Sequence, residues 1–263
     1  MKCEPGRFDL NLAALIFVLK TIQPDPNGTM KVPRIALAGF PDVIMHATES
    51  AVKTHPRYRA AKAGDIKAAE QLVADVISEE AVGRIKNLMR GDTYQLIPIH
   101  ALEAEGVNEI PAALAKRLAY GLNVQVNDEI VQINTVGHTG SDGFHRLANQ
   151  AAFTGNIAAG RYLVIDDFVG QGGTLANLIG YVHSQGGAVV GATVLTGKPY
   201  SATISSNIDA LARLRDKHGQ ALENWWKENF GFDFDCLTRS EARYLEKTAD
   251  ADAIRDRIAQ AGP

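Results

Sequence analysis

The sequence predicts an α/β fold with a parallel central sheet, and three neighbouring segments lead to this prediction. Residues 162–165 (YLVI) form a continuous apolar run, which is typical of a strand buried on both faces of a sheet. An apolar helix face follows, formed by Leu175, Leu178, Ile179 and Val182. Residues 188–195 have the pattern of a second buried strand. The three segments form a βαβ unit, so we expect ligands to bind beyond the carboxyl ends of its strands.

The remaining elements are predicted from periodicity and from start signals. Apolar stripes predict helices at 66–77 and 82–89, which begin after Asp65 and Ser78. Further strands are expected at 94–99 and 124–134, and a helix begins near Pro111. The C-terminal third is expected to be helical, with segments at 144–153, 203–230, 241–246 and 253–259. Thr238 and Glu241 have the spacing of a capping box.

The turn inside the βαβ unit carries the candidate ligand chemistry. Asp166 and Asp167 close the first apolar run at the expected carboxyl end of its strand, and the loop residues Gly170, Gln171, Gly172, Gly173 and Thr174 follow. A Walker loop would need a Lys-Ser or Lys-Thr pair after the glycines, and the sequence has none. A dinucleotide fingerprint would need a glycine at Leu175 and an acid after the second strand, where residues 196–198 are TGK. Another interpretation is a plain strand-to-helix turn in which the acids cap the helix.

The order of elements in this unit resembles the signature of type I phosphoribosyltransferases. That signature consists of an apolar strand, an acidic pair, a small-residue loop ending in Gly-Gly-Thr, and a helix. This signature binds 5-phosphoribosyl-1-diphosphate (PRPP). The resemblance implies a Rossmann-like parallel sheet with helical additions on both sides. It also implies that the backbone N–H groups of the loop hold the 5′-phosphate at the helix N-terminus. Asp166 and Asp167 would accept hydrogen bonds from the ribose hydroxyls, and Mg²⁺ would be bound through PRPP.

A second pattern, HTG…RLANQAAF over residues 138–153, is similar to the ComF-like members of this family. Arg146 and Asn149 stand at the matching positions. In this enzyme class a loop closes over the diphosphate, so His138 and Arg146 are candidates for touching that group. The alternative is that both are ordinary polar residues of a surface loop and helix. The loop at about 99–108, where the family holds the diphosphate, lacks basic or glycine-dense character.

The segment after the second strand is a candidate acceptor wall. Lys198 resembles the lysine that purine-salvage members direct towards an exocyclic oxygen, and Tyr200 could stack on a ring. A surface lysine before a proline is the alternative interpretation. Gly170 stands where purine-salvage members place a general base, and Gln171 replaces the usual loop hydroxyl. The first departure argues against hypoxanthine or guanine salvage, and the acceptor is expected to be another base or amine.

Composition limits the partners. A net charge of −3 does not favour binding to nucleic acid. The patch of Lys53, His55, Arg57, Arg59 and Lys62 could touch phosphate or nucleic acid, but a solvated face is the favoured interpretation. The apolar run at 10–19 is too short to span a bilayer. The cysteines Cys3 and Cys236 lack metal-ligand spacing, so we expect free thiols in a reducing, cytoplasmic compartment. Of Trp225 and Trp226, one should pack while the other stays near a surface.

Four regions are expected: an extension at 1–29, a helical N-terminal region at 30–92, a phosphoribosyltransferase core at 93–198 and a helical hood at 199–263. The resemblance implies an enzyme that transfers ribose 5-phosphate from PRPP to a nitrogenous acceptor and releases diphosphate. We expect a homodimer. Two alternatives remain: a catalytically silent protein that senses PRPP, and an enzyme that hydrolyses PRPP.

Overall fold

A computed structural model describes residues 31–91, 93–103, 106–134, 136 and 142–262. Within these ranges the strands are β1 (Ile44–Met45), β2 (Tyr94–Pro98), β3 (Leu102–Glu103), β4 (Gly106–Val107), β5 (Gln125–Val126), β6 (Val131–Gln132), β7 (Phe153–Thr154), β8 (Arg161–Val169) and β9 (Ala188–Gly197). The helices are α1 (Glu49–Lys53), α2 (Tyr58–Lys62), α3 (Ile66–Val76), α4 (Glu79–Leu88), α5 (Ile110–Leu122), α6 (Gly143–Ala148), α7 (Gly173–Ser184), α8 (Ile208–His218), α9 (Gln220–Phe230), α10 (Arg239–Glu246) and α11 (Ala251–Ala261).

The main sheet has five strands in the order β1-β9-β8-β2-β5, and every pairing in it is parallel. The central strand β8 is buried along nearly its whole length, as its apolar sequence predicts. Helix α7 connects β8 to β9 and completes the βαβ unit. The α/β fold with a parallel sheet is therefore confirmed. Two small antiparallel pairs, β3–β4 and β6–β7, lie outside this sheet.

Two elements differ from the sequence prediction. The strand expected at 124–134 is divided between two sheets, because Asn127, Asp128 and Glu129 interrupt it with a polar turn. In this turn the Glu129 N–H donates to the Asn127 side chain at 3.1 Å, a local bond that competes with strand pairing. The helix expected at 144–153 stops at Ala148, where Asn149 donates to the carbonyl oxygens of His145 and Ala261, each at 2.9 Å.

Strand β8 is also longer than predicted. It continues past the two acids because β9 runs alongside it as far as the pair Val169 and Gly197. Asp166 and Asp167 consequently lie within the strand and not at its carboxyl end. The backbone of the pair is thus held by strand pairing in the sheet rather than by a loop.

The predicted start signals of the helices are present as hydrogen bonds. Asp65 caps α3 by accepting from the Ala68 N–H at 2.9 Å, and Ser78 caps α4 by accepting from the Ala81 N–H at 3.2 Å. The capping box of α10 is confirmed, since Thr238 and Glu241 each accept from the other's backbone N–H. These caps fix where the helices begin.

Three apolar clusters stabilise the described chain. One packs α7 against the sheet, and a second packs α3, α4 and α5 against the sheet. The third lies among α6 and the C-terminal helices and contains Trp226, which is fully buried, whereas Trp225 is partly exposed. This difference between the two tryptophans agrees with the prediction. In the described residues, no helix is both long and apolar enough to cross a membrane.

The region expected to be a helical N-terminal part contributes more than helices. It contains α1 to α4, and it also supplies β1, which pairs with β9 at the edge of the main sheet. The sequence did not indicate this two-residue strand. Residues 199–262 contain α8 to α11 and no strand within the described residues. The extension predicted at 1–29 lies outside the residues that the structure describes.

Candidate active site

A cavity of about 260 Å³ opens at the carboxyl end of β8. Its wall includes Asp166, Asp167 and the whole loop from Gly170 to Thr174, together with Arg146 of α6. Asn149, the other position of the ComF-like pattern, also lines it. The fold therefore places most of the residues singled out in the sequence around one cavity of a size suited to a small ligand.

The glycine-rich loop is shaped by close packing. Gly172 has φ +83°, a left-handed conformation, and forms the N-cap of α7. A Cβ atom on Gly172 would lie 2.9 Å from the Cγ2 atom of Ile204, and one on Gly173 would lie 2.7 Å from the Oε1 atom of Glu241. The turn and its contacts thus require glycine at both positions. Because the first N–H groups of a helix lack intrahelical acceptors, the start of α7 can bind an anion in the cavity.

The hood holds this loop in place. The hydroxyl of Thr238, the N-cap of α10, donates to the carbonyl oxygen of Gln171 at 2.6 Å. The same hydroxyl accepts from the Glu241 N–H at 3.2 Å. One side chain thereby caps a helix and fixes the backbone of the loop, so the start of α10 and the candidate anion site form one unit.

Asp166 and Asp167 are buried, with relative exposures of 7% and 9%. Burial, and then the negative charge of Asp167, raise the pKa of Asp166 well above its usual range. The backbone N–H of Asp167 donates to the Oδ1 atom of Asp166 at 2.8 Å, which partly offsets this effect. Asp166 therefore holds a proton more readily than an exposed carboxylate would, and the oxygen atoms of the pair can accept hydrogen bonds from hydroxyl groups.

Basic side chains from two parts of the chain reach the same cavity. Lys62 of α2 forms an ion pair with Asp167, with 3.1 Å between Nζ and Oδ2. Lys53 of α1 also lines the cavity, and its Nζ atom lies 4.6 Å from the centre of the Phe168 ring. The prediction that the basic patch at 53–62 is a solvated face is therefore wrong for Lys62, whose side chain is only 14% exposed. It fits better for Arg57 and Arg59, which are exposed.

The sequence favoured a solvated face over a phosphate contact for Lys62, because the position of this side chain depends on a contact between residues 105 positions apart. A basic run by itself is typical of a solvated surface. The negative net charge of the whole chain was a further signal, but it does not show where the patch lies in the fold. Tyr58, which the sequence did not indicate as a site residue, lines the cavity together with Lys62.

The candidate acceptor residues lie elsewhere. Lys198 does not line the cavity; its Nζ atom pairs with Glu49 at 2.6 Å, and this pair raises the pKa of Lys198. Tyr200 is 58% exposed, and the guanidinium of Arg243 lies 4.9 Å from the centre of its ring.

His100 is buried beside the cavity-lining Ile99 and Ala101, and burial lowers its pKa. His138 lies outside the described residues.

A buried ion pair supports the loop from below. The guanidinium of Arg34 donates to both carboxylate oxygens of Glu241, at 2.6 and 2.9 Å, and the two side chains are 0% and 2% exposed. Arg34 also donates to Gln150 at 2.8 Å and to Asn177 at 2.5 Å. These contacts connect the N-terminal segment, α7 and α10. The sequence shows Glu241 only as a capping residue and gives no sign of Arg34.

No cluster of three or more histidine, cysteine, aspartate or glutamate side chains in the described ranges could hold a metal ion. The cavity wall includes the carboxylates of Asp166 and Asp167 and that of Glu241, which is paired with Arg34. Two carboxylates on β8 fit a cation that takes most of its oxygen ligands from a phosphorylated substrate. Cys236 is a free thiol, and burial raises its pKa to about 11.

Comparisons with known proteins add relatives but no family. No family model matches the chain. It is 39% identical to "Protein TraN" of Escherichia coli over 232 residues, which is 88% of this chain and 52% of that protein. It is 42% identical to an uncharacterized protein of Haemophilus influenzae over 144 residues, 54% of this chain and 32% of that protein. The chain thus spans about half or less of the length of these curated relatives.

Solved structures similar to the chain include adenine phosphoribosyltransferase from Rhodothermus marinus, with a TM-score of 0.32, 18% identity, and coverage of 48% of this chain and 71% of that one. Hypoxanthine phosphoribosyltransferase from Staphylococcus aureus has a TM-score of 0.31 and 15% identity, with coverage of 53% and 67%. None of these names identifies a ComF-like protein. The fold class follows from the strand order itself, and these low TM-scores add nothing to it.

Proposed function

We propose that this chain is a PRPP-dependent phosphoribosyltransferase, which transfers ribose 5-phosphate to a nitrogenous acceptor and releases diphosphate. The observation that supports this proposal best is the shared cavity of two buried carboxylates and a glycine turn. Asp166 and Asp167 lie in the strand that leads into the turn, and the turn begins a helix of twelve residues. A ribose with a phosphate at its 5′ end matches this order of hydroxyl acceptors and anion-binding N–H groups.

In this proposal the loop binds the 5′-phosphate. The N–H groups of Gly172, Gly173 and Thr174 would donate to its oxygens, and the amide of Gln171 would add a further donor. Asp166 and Asp167 would accept hydrogen bonds from the 2′ and 3′ hydroxyls. As the bond to diphosphate breaks, positive charge develops on the ribose ring, and the carboxylates would stabilise this charge from within a buried strand.

Arg146 is proposed to bind the leaving diphosphate. Its Nη1 atom lies 3.0 Å from the position that a Cβ atom on Gly170 would occupy, so the guanidinium reaches the loop itself. A guanidinium meets phosphate oxygens with two parallel donors, which suits a group that gains charge during the reaction. His138 and Lys198 remain proposals for diphosphate and acceptor contacts respectively.

Mg²⁺ is proposed as the cofactor, bound through PRPP. When bound, it would neutralise the negative charge that accumulates on the leaving diphosphate. The acidic pair is the part of this chain that could contribute oxygen ligands near the ribose. The proposal also includes a homodimer in the cytoplasm and an acceptor that is a base or an amine. Gly170 in place of an acid is the reason for not proposing hypoxanthine or guanine.

The proposal is tested by titrating PRPP with Mg²⁺ into the wild-type chain and into a double variant, Asp166→Asn and Asp167→Asn. Asparagine keeps the size of each side chain and removes its charge. Asp252→Asn, on an exposed helix residue, is the matched control. We expect calorimetric binding to wild type and control, and its loss in the double variant, with the circular dichroism spectrum unchanged.

An acceptor screen that measures diphosphate release then separates the activities. Release that depends on an added base or amine supports the transferase. Release without any acceptor identifies a PRPP hydrolase, and binding without release under any condition identifies a PRPP sensor. A folded wild-type chain that does not bind PRPP would refute all three.

A further inference from the structure

The cavity contains basic side chains that the phosphoribosyltransferase pattern does not include. Lys53 and Lys62 come from α1 and α2, which precede the first core strand, β2. In the segment that directly follows β2, Ile99, Ala101 and Leu102 line the cavity, and all three are apolar. Helices α1 and α2 therefore add two cationic side chains, Lys53 and Lys62, to a wall that is apolar at Ile99, Ala101 and Leu102.

Lys62 holds the most informative position of the two. Its side chain is 14% exposed, and its Nζ atom lies 3.1 Å from the Oδ2 atom of Asp167. In PRPP the diphosphate is attached to C1, next to the carbon that carries the 2′ hydroxyl. Asp167 would accept a hydrogen bond from a ribose hydroxyl. Because Lys62 contacts Asp167, its ammonium group would then lie close to C1 and to the diphosphate attached there.

We propose that Lys62, supported by Lys53, binds the diphosphate group on C1 and selects a diphosphate-bearing sugar phosphate over ribose 5-phosphate. This inference depends on the proposed function and identifies the ligand class of that site. A ribose hydroxyl must compete with Lys62 for Asp167. Ribose 5-phosphate has no anionic group near C1 for the displaced ammonium group, whereas PRPP has a diphosphate there. Only PRPP would therefore replace the broken ion pair with a new one, which should give it the higher affinity.

Lys53 contributes by its position and charge. It lies over the Phe168 ring and bonds to Glu49 at 2.6 Å, and Glu49 also bonds to Lys198 at 2.6 Å. Glu49 thereby ties the first turn of α1 to the segment after β9. Lys53 is 44% exposed, so we expect a smaller contribution from it than from Lys62.

The test compares three ligands in calorimetric titrations with Mg²⁺: PRPP, ribose 5-phosphate and diphosphate alone. The variants are Lys62→Met, Lys62→Arg and the matched control Lys67→Met, which removes an exposed lysine from α3, outside the cavity. For Lys62→Met we expect PRPP affinity to fall by roughly tenfold to a hundredfold, as for loss of a charged hydrogen bond. Ribose 5-phosphate affinity should stay unchanged or rise, because Asp167 is no longer occupied.

Lys62→Arg should keep most of the PRPP affinity, and Lys67→Met should match wild type for all ligands. Equal losses for PRPP and ribose 5-phosphate in Lys62→Met would show that Lys62 only maintains the structure and would overturn the inference. Unchanged PRPP affinity in that variant would overturn it as well. If PRPP binds to wild type and depends on Asp166 and Asp167, the proposed function survives either result. If PRPP does not bind to wild type, the two proposals fail together.

Discussion

Replacing Glu241 by glutamine tests the buried ion pair beneath the glycine loop. The variant keeps the shape of the side chain but leaves the Arg34 guanidinium, whose side chain is 0% exposed, without its anionic partner. It also places an NH₂ group where a carboxylate oxygen accepted from Arg34 at 2.6 or 2.9 Å. Removing one partner of a buried pair costs about 3–5 kcal/mol, because the remaining charge stays buried.

A loss of this size is large, since a domain of ordinary stability has a free energy of unfolding of about 5–15 kcal/mol. The measurement is urea-induced unfolding followed by circular dichroism at constant pH. A lower midpoint with an unchanged slope would report a change in stability alone. The second variant, Arg34→Met, should be comparably unstable, because it leaves the Glu241 carboxylate buried without a cationic partner among the described residues, although the Thr238 N–H still donates to it at 2.8 Å.

The double variant gives the sharper test. Once both charges are removed, neither is left buried and unpaired, so the double variant should lose less stability than the sum of the single losses, by about 1–3 kcal/mol. The matched control is Glu246→Gln, on the same helix, which breaks an exposed pair with Arg213. Its unfolding midpoint should remain close to that of wild type. A change of less than about 1 kcal/mol in Glu241→Gln would refute the reasoning.

Three further predictions concern Gly172, Thr238 and His46. Gly172→Ala should destabilise the chain more than Gly186→Ala in urea unfolding, because both glycines have positive φ but only the first has a neighbour within 4 Å of the added Cβ; equal losses would show that the contact does not matter. Thr238→Val should cost about 1–2 kcal/mol in the same assay, through the lost cap and the lost bond to Gln171, and a neutral effect would contradict that dual role. Burial lowers the pKa of His46 from 6.5 to about 4. Because the unfolded chain therefore binds this proton more tightly than the folded chain does, the free energy of unfolding should fall by about 2 kcal/mol from about pH 7 to about pH 5. His46→Gln should make the free energy of unfolding less dependent on pH, and an unchanged dependence would rule His46 out as its source.

The sequence by itself determined the βαβ unit and the chemistry of its turn. Apolar runs at 162–165 and 188–195 and a helical stripe between them define local structure through periodicity, which depends on near neighbours in the chain. The helix starts at Asp65 and Ser78 and the capping box at Thr238 were equally local, and the structure contains each of them. The same local logic identified the acidic pair and the glycines as one candidate site.

The structure corrected predictions in which tertiary pairing overrides local pattern. The length of β8 was set by the partner strand β9, so Asp166 and Asp167 became part of the strand. The strand predicted at 124–134 was divided between two sheets, because each half pairs with a different strand on either side of a polar turn. Residue patterns within one segment carry no information about which strand will lie beside it.

The contacts that complete the candidate site were decided only by tertiary structure. Lys62 and Asp167 are 105 positions apart in the chain, and Arg34 and Glu241 are 207 apart. No periodicity or spacing rule connects such residues. They meet because the parallel sheet brings α2 to the end of β8 and because the C-terminal helices pack beside the start of α7. Charge in the sequence showed that lysines and acids were present, and the fold determined which of them became buried partners.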